Sequence, residues 1–425
     1  MIKKILFFLL LSPIFVFSQE NNNFGIKFHG FVKSDLLFDS RQTVDAREGH
    51  FLLFPKNVSL DPDGEDINAK SSFNMLSIQT RLKGFITGPD IGKIKTSAYI
   101  EGEFFGMMNS DINGFRLRHA FIKLKWETAS ILVGQYWHPM FATKCYPGTV
   151  SFNTGAPFQP FSRNPQIRLT KSFGNFNLFL TALSQVDFVS TGPDGASAKY
   201  LRNSTVPAVN FKVEYNYKNA DNSNEFLIGL SINYKTLVPR LQTDNGYATS
   251  QTTYSTAFSG YAKFKTKAIT IKAYGFYGGD AYNLLMLGGY AVTKLADPAK
   301  DYVEYSCIRN SSYWIDFQTN GKELAWGLFG GYSKNLGSSN EIVGNAYTRG
   351  ADIDFLYRVS TRLIWNIQKF RLAPELEYTA AAYATNMGLI GGRTTEILNI
   401  DKYGKVTESE LVGNFRVLIG FYYFF

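Results

Sequence analysis

"AVNFKVEYNY", residues 208–217, alternates without a break. Val209, Phe211, Val213, Tyr215 and Tyr217 are apolar or aromatic; Asn210, Lys212, Glu214 and Asn216 are polar or charged. In an extended chain successive side chains point to opposite faces, so this strand has one oily face and one wet face. Such a strand separates an apolar phase from water. The rest of the chain decides which phases these are.

The same period recurs. Phe355, Tyr357, Val359, Leu363 and Trp365 alternate with Arg358, Ser360, Arg362 and Asn366. Phe415, Val417, Ile419, Phe421, Tyr423 and Phe425 share one face of the last segment, with Asn414, Arg416 and Gly420 on the other. About sixteen segments of this kind fall near residues 31, 80, 99, 121, 133, 168, 181, 212, 231, 259, 272, 315, 327, 359, 377 and 418, each long enough to cross a bilayer as a tilted strand. Their connections alternate in length. Tight ones read "PDIG" (89–92), "ETA" (127–129), "GN" (174–175), "NADNSN" (219–224), "TK" (266–267), "NGK" (320–322) and "QK" (368–369). Long ones cover 40–72, 138–164, 188–205, 237–251, 279–310, 335–350 and 385–410; only that around 107–114 is short. A soluble sandwich has no reason to sort its loops this way. The pattern predicts an all-β fold: a transmembrane antiparallel β-barrel of about 16 strands, with short periplasmic turns and long extracellular loops.

The ends and the composition agree. "MIKK" followed by "ILFFLLLSPIFVF" and Val16-Phe17-Ser18 predicts a signal peptide over 1–18 and a barrel over 19–425. No later apolar run is long enough for a membrane helix. The final "LIGFYYFF" (418–425) would invite aggregation in water, and is expected to pair with the first strand, near "IKFHGFVKSDLLF", to close the sheet. Aromatics make up 16 % of the residues, as interfacial girdles require. The net charge is +9. In an exported chain such an excess points to anionic solutes or surfaces, such as lipopolysaccharide, rather than nucleic acid. Cys145 and Cys307 both fall in long loops, as a bridge or as two thiols.

A barrel of this size is too wide for side chains to fill, so selectivity depends on what narrows it and on the charges there. Segment 138–164 follows the fifth strand, holds Lys144 and Arg163, and has no carboxylate; it is expected to constrict the pore. Strand parity turns Lys33, Arg81, Lys83, Arg168, Lys212, Arg358, Arg362 and Arg416 inward, because a midplane Arg or Lys facing lipid costs about 2–4 kcal/mol. Asp35, Glu101, Glu103, Glu214, Glu375 and Glu377 also line the wall. Arg116 and Arg118 share parity with Ala120, Ile122 and Leu124. They either lie above the membrane or are turned inward by a bulge. "DPDGED" (61–66) reads as a turn around Pro62 and Gly64 rather than a calcium loop. No enzymatic motif is evident and no cofactor is expected.

"HGFVKSDLLFD" (29–39), "IQTRLKGF" (78–85), "IEGEFFG" (100–106), "FRLRHAFIKL" (115–124), "LVGQYWHPMF" (132–141) and "RNPQIRLTK" (163–171), in this order, resemble the dicarboxylate-type (DcaP-like) outer-membrane porins. The resemblance covers mostly the first part of the mature chain. It implies a trimeric passive channel of the Gram-negative outer membrane that prefers small anions such as carboxylates, with Arg116 and Arg118 in the pore. The alternative is an outer-membrane barrel enzyme or an adhesin.

Overall fold

The computed structural model describes residues 24–221, 223–386 and 398–425. The leader expected at 1–18 lies outside the described residues. Sixteen strands form the wall. The first half comprises β1 (Gly25–Asp39), β2 (Ser72–Leu76 and, after a break, Arg81–Thr87), β3 (Lys95–Glu103), β4 (Arg116–Lys125), β5 (Ala129–Trp137), β6 (Arg163–Phe173), β7 (Phe176–Leu183) and β8 (Ala208–Lys218). The second comprises β9 (Glu225–Leu237), β10 (Thr253–Lys265), β11 (Ile269–Gly279), β12 (Tyr302–Thr319), β13 (Leu324–Gly337), β14 (Ile353–Ile367), β15 (Phe370–Ala384) and β16 (Ser409–Phe424). Neighbours in the chain pair antiparallel, and β16 returns to β1 from Phe31↔Phe424 to Asp39↔Arg416. No wall edge is left, as hydrocarbon demands.

The turns at 88–94, 126–128, 174–175, 219–224, 266–268, 320–323 and 368–369 crowd one rim, and the longer connections the other. In the break within β2, the Thr80 hydroxyl takes the Lys33 N–H at 3.1 Å in place of a ladder carbonyl. One expected loop is partly sheet. Within 279–310, Gly288–Asp297 pairs with the upper end of β12 and with Ala346–Arg349. This hairpin continues the wall outward and buries Tyr290 beside Tyr200 and Leu201, a tertiary reward that local sequence does not display. "DPDGED" is a turn: the Asp61 carboxylate accepts the N–H groups of Asp63 and Glu65, and Gly64 sits at φ +85°.

The two faces separate cleanly. On β9, Phe226, Ile228, Leu230, Ile232 and Tyr234 are exposed, while Glu225, Leu227, Ser231, Asn233 and Lys235 are buried. On β16, Phe415, Phe421 and Tyr423 face out, whereas Arg416 and Leu418 are buried inside. A closed barrel with an apolar outer face is the architecture of the Gram-negative outer membrane, and it places the chain there.

The interior is fuller than strand count alone suggests. A hairpin of Thr43–Ala46 and Phe51–Pro55 folds inward from the first long loop, with Phe51–Pro55 buried throughout. It meets the segment after β5 and residues 281–287 in one apolar cluster that includes Phe51, Phe105, Phe152, Phe158, Phe161 and Leu284. Loops, packed against wall side chains such as Tyr274, Trp314 and Phe329, fill much of the interior.

At the seam, Arg416 grips Asp39 with Nε–Oδ1 2.8 Å and Nη2–Oδ2 2.6 Å, and its Nη2 also donates to Gly49 O at 2.7 Å. Removing one partner of a buried pair costs about 3–5 kcal/mol. Asp39→Ala is therefore expected to lower markedly the temperature at which the folded band converts to the unfolded one on heat-modifiability gels. An unchanged midpoint would show that the seam does not rely on this pair.

Candidate functional site

The site begins with a bulge. Between β3 and β4 the register slips, so Glu101 opposes His119 while Gly102 opposes Leu117 and Arg118 is left over. The bulge turns Arg116, Arg118 and His119 all inward, where each is buried. From the outer face, Gln135 Nε2 donates to the carbonyls of Leu117 (3.3 Å) and Arg118 (3.0 Å). It thereby satisfies groups that the bulge removes from the ladder.

An arginine–carboxylate cluster follows. Arg118 reaches Glu101 and Glu103, each at 2.6 Å. Arg116 Nη2 lies 2.6 Å, and Arg81 Nε 3.1 Å, from Glu103. Arg163 opens β6, so the inserted loop proper ends at residue 162; its guanidinium pairs with Asp187 at 2.7 Å. Asp187 escaped the sequence reading because it lies past the end of β7, where strand parity no longer assigns a direction.

Residues 138–162 lie inside the barrel, held by the apolar cluster and by hydrogen bonds to their backbone. Glu375 accepts the N–H groups of Val150 (2.7 Å) and Ser151 (2.8 Å). Lys33 donates to Val150 O (3.1 Å), Tyr274 to Met140 O (2.8 Å) and Ser312 to Phe158 O (2.9 Å). Phe158 packs against Gly331, where an added Cβ would come within 2.7 Å of its ring. His138 accepts the Met140 N–H at 3.3 Å; burial, then Arg168 and Lys235, lower its ring to about 3, so it stays neutral. Cys145 and Cys307 are free thiols, and burial pushes Cys145 up to about 12.

The predicted pore charges thus divide. Arg358, Arg362 and Arg416 point inward but are only 0–1 % exposed, so they brace the interior instead of lining open water. Arg358 donates to Ala156 O (2.8 Å), to Leu53 O (3.0 Å) and to Thr379, tying both inserted loops to the wall. Arg362 pairs with Asp316 at 2.8 Å. Lys33 is fully buried against Asp35 at 3.0 Å. Arg168 donates to Trp137 O at 2.7 Å, and Lys212 lies 4.3 Å over the Phe179 ring. Arg81 and Lys83, by contrast, line a cavity of about 460 Å³ beneath the inserted loop, with the buried Arg118 and with Glu101, His119, Tyr136, Trp137, Phe152 and Tyr422. Lys144 faces a second cavity of about 390 Å³. Thr143 and Tyr146 border both.

A closed sixteen-stranded barrel with a loop folded inward after β5 is the porin fold. No protein-family model matches the chain, and no curated protein does. Among solved structures, the chain is similar to the outer membrane channel DcaP of Acinetobacter baumannii: 16 % identity, TM-score 0.67, with 95 % of this chain and 97 % of that one covered. It is also similar to the anion-selective porin from Comamonas acidovorans (12 %, TM-score 0.53, 95 % and 100 % covered) and to OmpT of Vibrio cholerae (11 %, TM-score 0.51, 94 % and 97 % covered). The resemblance to the DcaP-like porins holds at the level of the fold.

Arg358→Met is expected to release both loops. A hydrogen bond to a charged group contributes about 1.5–3 kcal/mol, so amide exchange across 51–55 and 156–158 should accelerate by more than about tenfold. Unchanged protection would mean that the apolar cluster alone seats them. Cys145 should resist maleimide at pH 7.5 in the folded protein and react after heat unfolding. Labelling of the folded protein would contradict the seating of its loop.

Proposed function

We propose that the chain is a passive diffusion channel for small hydrophilic solutes, with a preference for anions such as carboxylates. The observation that carries this reading is the pair of cavities beneath the inserted loop, whose lining side chains include Arg81, Lys83, Lys144 and Lys218, with Glu101 and Glu225 as the lining carboxylates. Low-dielectric walls focus such a charge excess into a potential of several kT. Arg81, whose side chain is 17 % exposed, keeps part of a fork that matches carboxylate oxygens. That one structural neighbour is an anion-selective porin supports the same reading.

The working unit is a homotrimer in an outer leaflet rich in lipopolysaccharide. Exposed Tyr217, Tyr234, Tyr254, Tyr277, Tyr313 and Trp365 stud the outer face of β8–β16. On β1–β7 the only strand Tyr and Trp are Tyr99, Tyr136 and Trp137, all turned into the cavity. That arc instead shows Val32, Ile100 and Ile122, and a Ser34–Ser77 hydroxyl pair at 2.6 Å. Interfacial Tyr and Trp belong where headgroups are met, so the arc that carries only Trp126, in the turn between β4 and β5, at its outer surface faces neighbouring copies. Another neighbour, OmpT, has been solved in a trimer form.

In planar bilayers the purified protein should give stepwise conductance and a reversal potential favouring chloride over potassium. Silence, or cation preference, would sink the reading; hydrolysis of lipid or peptide without conductance would favour the enzyme alternative. A photo-crosslinking residue at Ile122 should yield protein–protein adducts, and one at Ile232 should not. Equal yields would remove β1–β7 as the contact face.

A further inference from the structure

Resting on that reading, we propose that charge preference is set by a chamber of lysines at the short-turn rim, not by the arginines of the wall, and that its ligands are small hydrated anions discriminated by valence.

A permeating ion responds to charges it can approach. The four arginines in and around the first cavity, Arg81, Arg116, Arg118 and Arg163, are matched by Glu101, Glu103 and Asp187. Arg358, Arg362 and Arg416 each touch a carboxylate and are sealed from solvent. The second cavity is arranged differently. It is lined by Lys144, Lys218, Lys263 and Lys272, which pair with Glu214, Glu225 and Asp316 in a similar ratio, and the difference lies in how far the charges reach into the cavity. Lys263 Nζ lies 2.8 Å, and Lys218 Nζ 4.0 Å, from Glu225. Lys144 pairs with Glu214 behind the wall surface. Lys272 donates to Tyr146 O at 2.8 Å, and its nearest carboxylate, Asp316 at 4.0 Å, already holds Arg362 at 2.8 Å.

Exposure orders these charges by depth. The side chains of Lys144 and Lys218 are 44 % and 47 % exposed, whereas those of Glu214 and Glu225 are 3 % and 8 % exposed. Ammonium groups stand in front and carboxylates behind, so a solute in the cavity meets the positive ends of the pairs. The chemistry of lysine then fixes what is recognised. An ammonium is a compact, strongly hydrated point charge on a flexible stem, without the planar fork that orients a carboxylate. A cluster of them attracts by charge and holds no particular shape. Weak, unoriented attraction also permits release, which conduction needs. Thr143 and Tyr146 border both cavities, so an anion held by the lysines is adjacent to the Arg81 and Lys83 wall.

Parity makes the chamber readable in retrospect. Lys218 continues the inward series of Lys212 and Glu214, and Lys263 and Lys272 are direct cross-strand partners between β10 and β11.

The test is the double variant Lys144→Gln/Lys218→Gln, measured for chloride-to-potassium and succinate-to-acetate permeability in bilayers at 0.1 M salt. Both ratios should fall by roughly twofold or more, because the removed charges sit in a low-dielectric cleft. Lys144→Arg/Lys218→Arg should restore the first ratio, and Lys294→Gln, on the exposed outer hairpin, should change neither. Should the double variant fail to fold, Lys218→Gln alone, with its half-exposed side chain, should give a smaller fall in the same direction. An anion-selective wild type whose ratios survive these substitutions overturns the lysine chamber. A wild type with no anion preference overturns the underlying channel reading instead.

Discussion

Every backbone N–H and C=O that enters hydrocarbon must find its partner within the protein. That constraint explains the architecture. It forbids an open edge, so β16 must return to β1, and the register from Phe31↔Phe424 to Asp39↔Arg416 is where it does so. It also explains the outward aromatics of the last strand. Phe421, Tyr423 and Phe425 belong to a closed sheet facing lipid, not to a frayed terminus facing water.

The same requirement acts inside the barrel. A wall of sixteen strands encloses more space than its side chains fill, and the chain fills much of the interior with its own loops. Inserted loops bring in backbone groups without a ladder. The wall meets them with charges: Glu375 accepts two loop N–H groups, while Arg358 and Lys33 donate to loop carbonyls. Arg358 and Lys33 therefore serve to seat the interior. Inward direction alone does not make a charge available to a solute; depth behind other atoms decides that.

The wall was legible in the sequence because its physics is local. Alternation in "AVNFKVEYNY" assigns each side chain to a face, and the split between short and long connections orients the cylinder. The inner architecture was less legible because it depends on contacts far apart in the chain. Parity left Arg116 and Arg118 undecided; the bulge that turns them inward is buttressed by Gln135 from the next strand. The inward hairpin at 43–55 gave no signal, since its anchors Arg358, Arg416 and Tyr383 lie near the other end of the sequence. Lys218, Lys263 and Lys272 were readable by parity, but their importance appears only once the buried arginines are seen to be paired.

The central claim is that one face of every wall strand meets lipid and the other meets an enclosed interior. Single spin labels placed in turn at 226–235 on β9, in protein reconstituted into vesicles, test it most directly. Collision with lipid-soluble oxygen should peak at 226, 228, 230, 232 and 234 and fall at the residues between them. Uniform accessibility along the strand, or an opposite phase, would contradict the account.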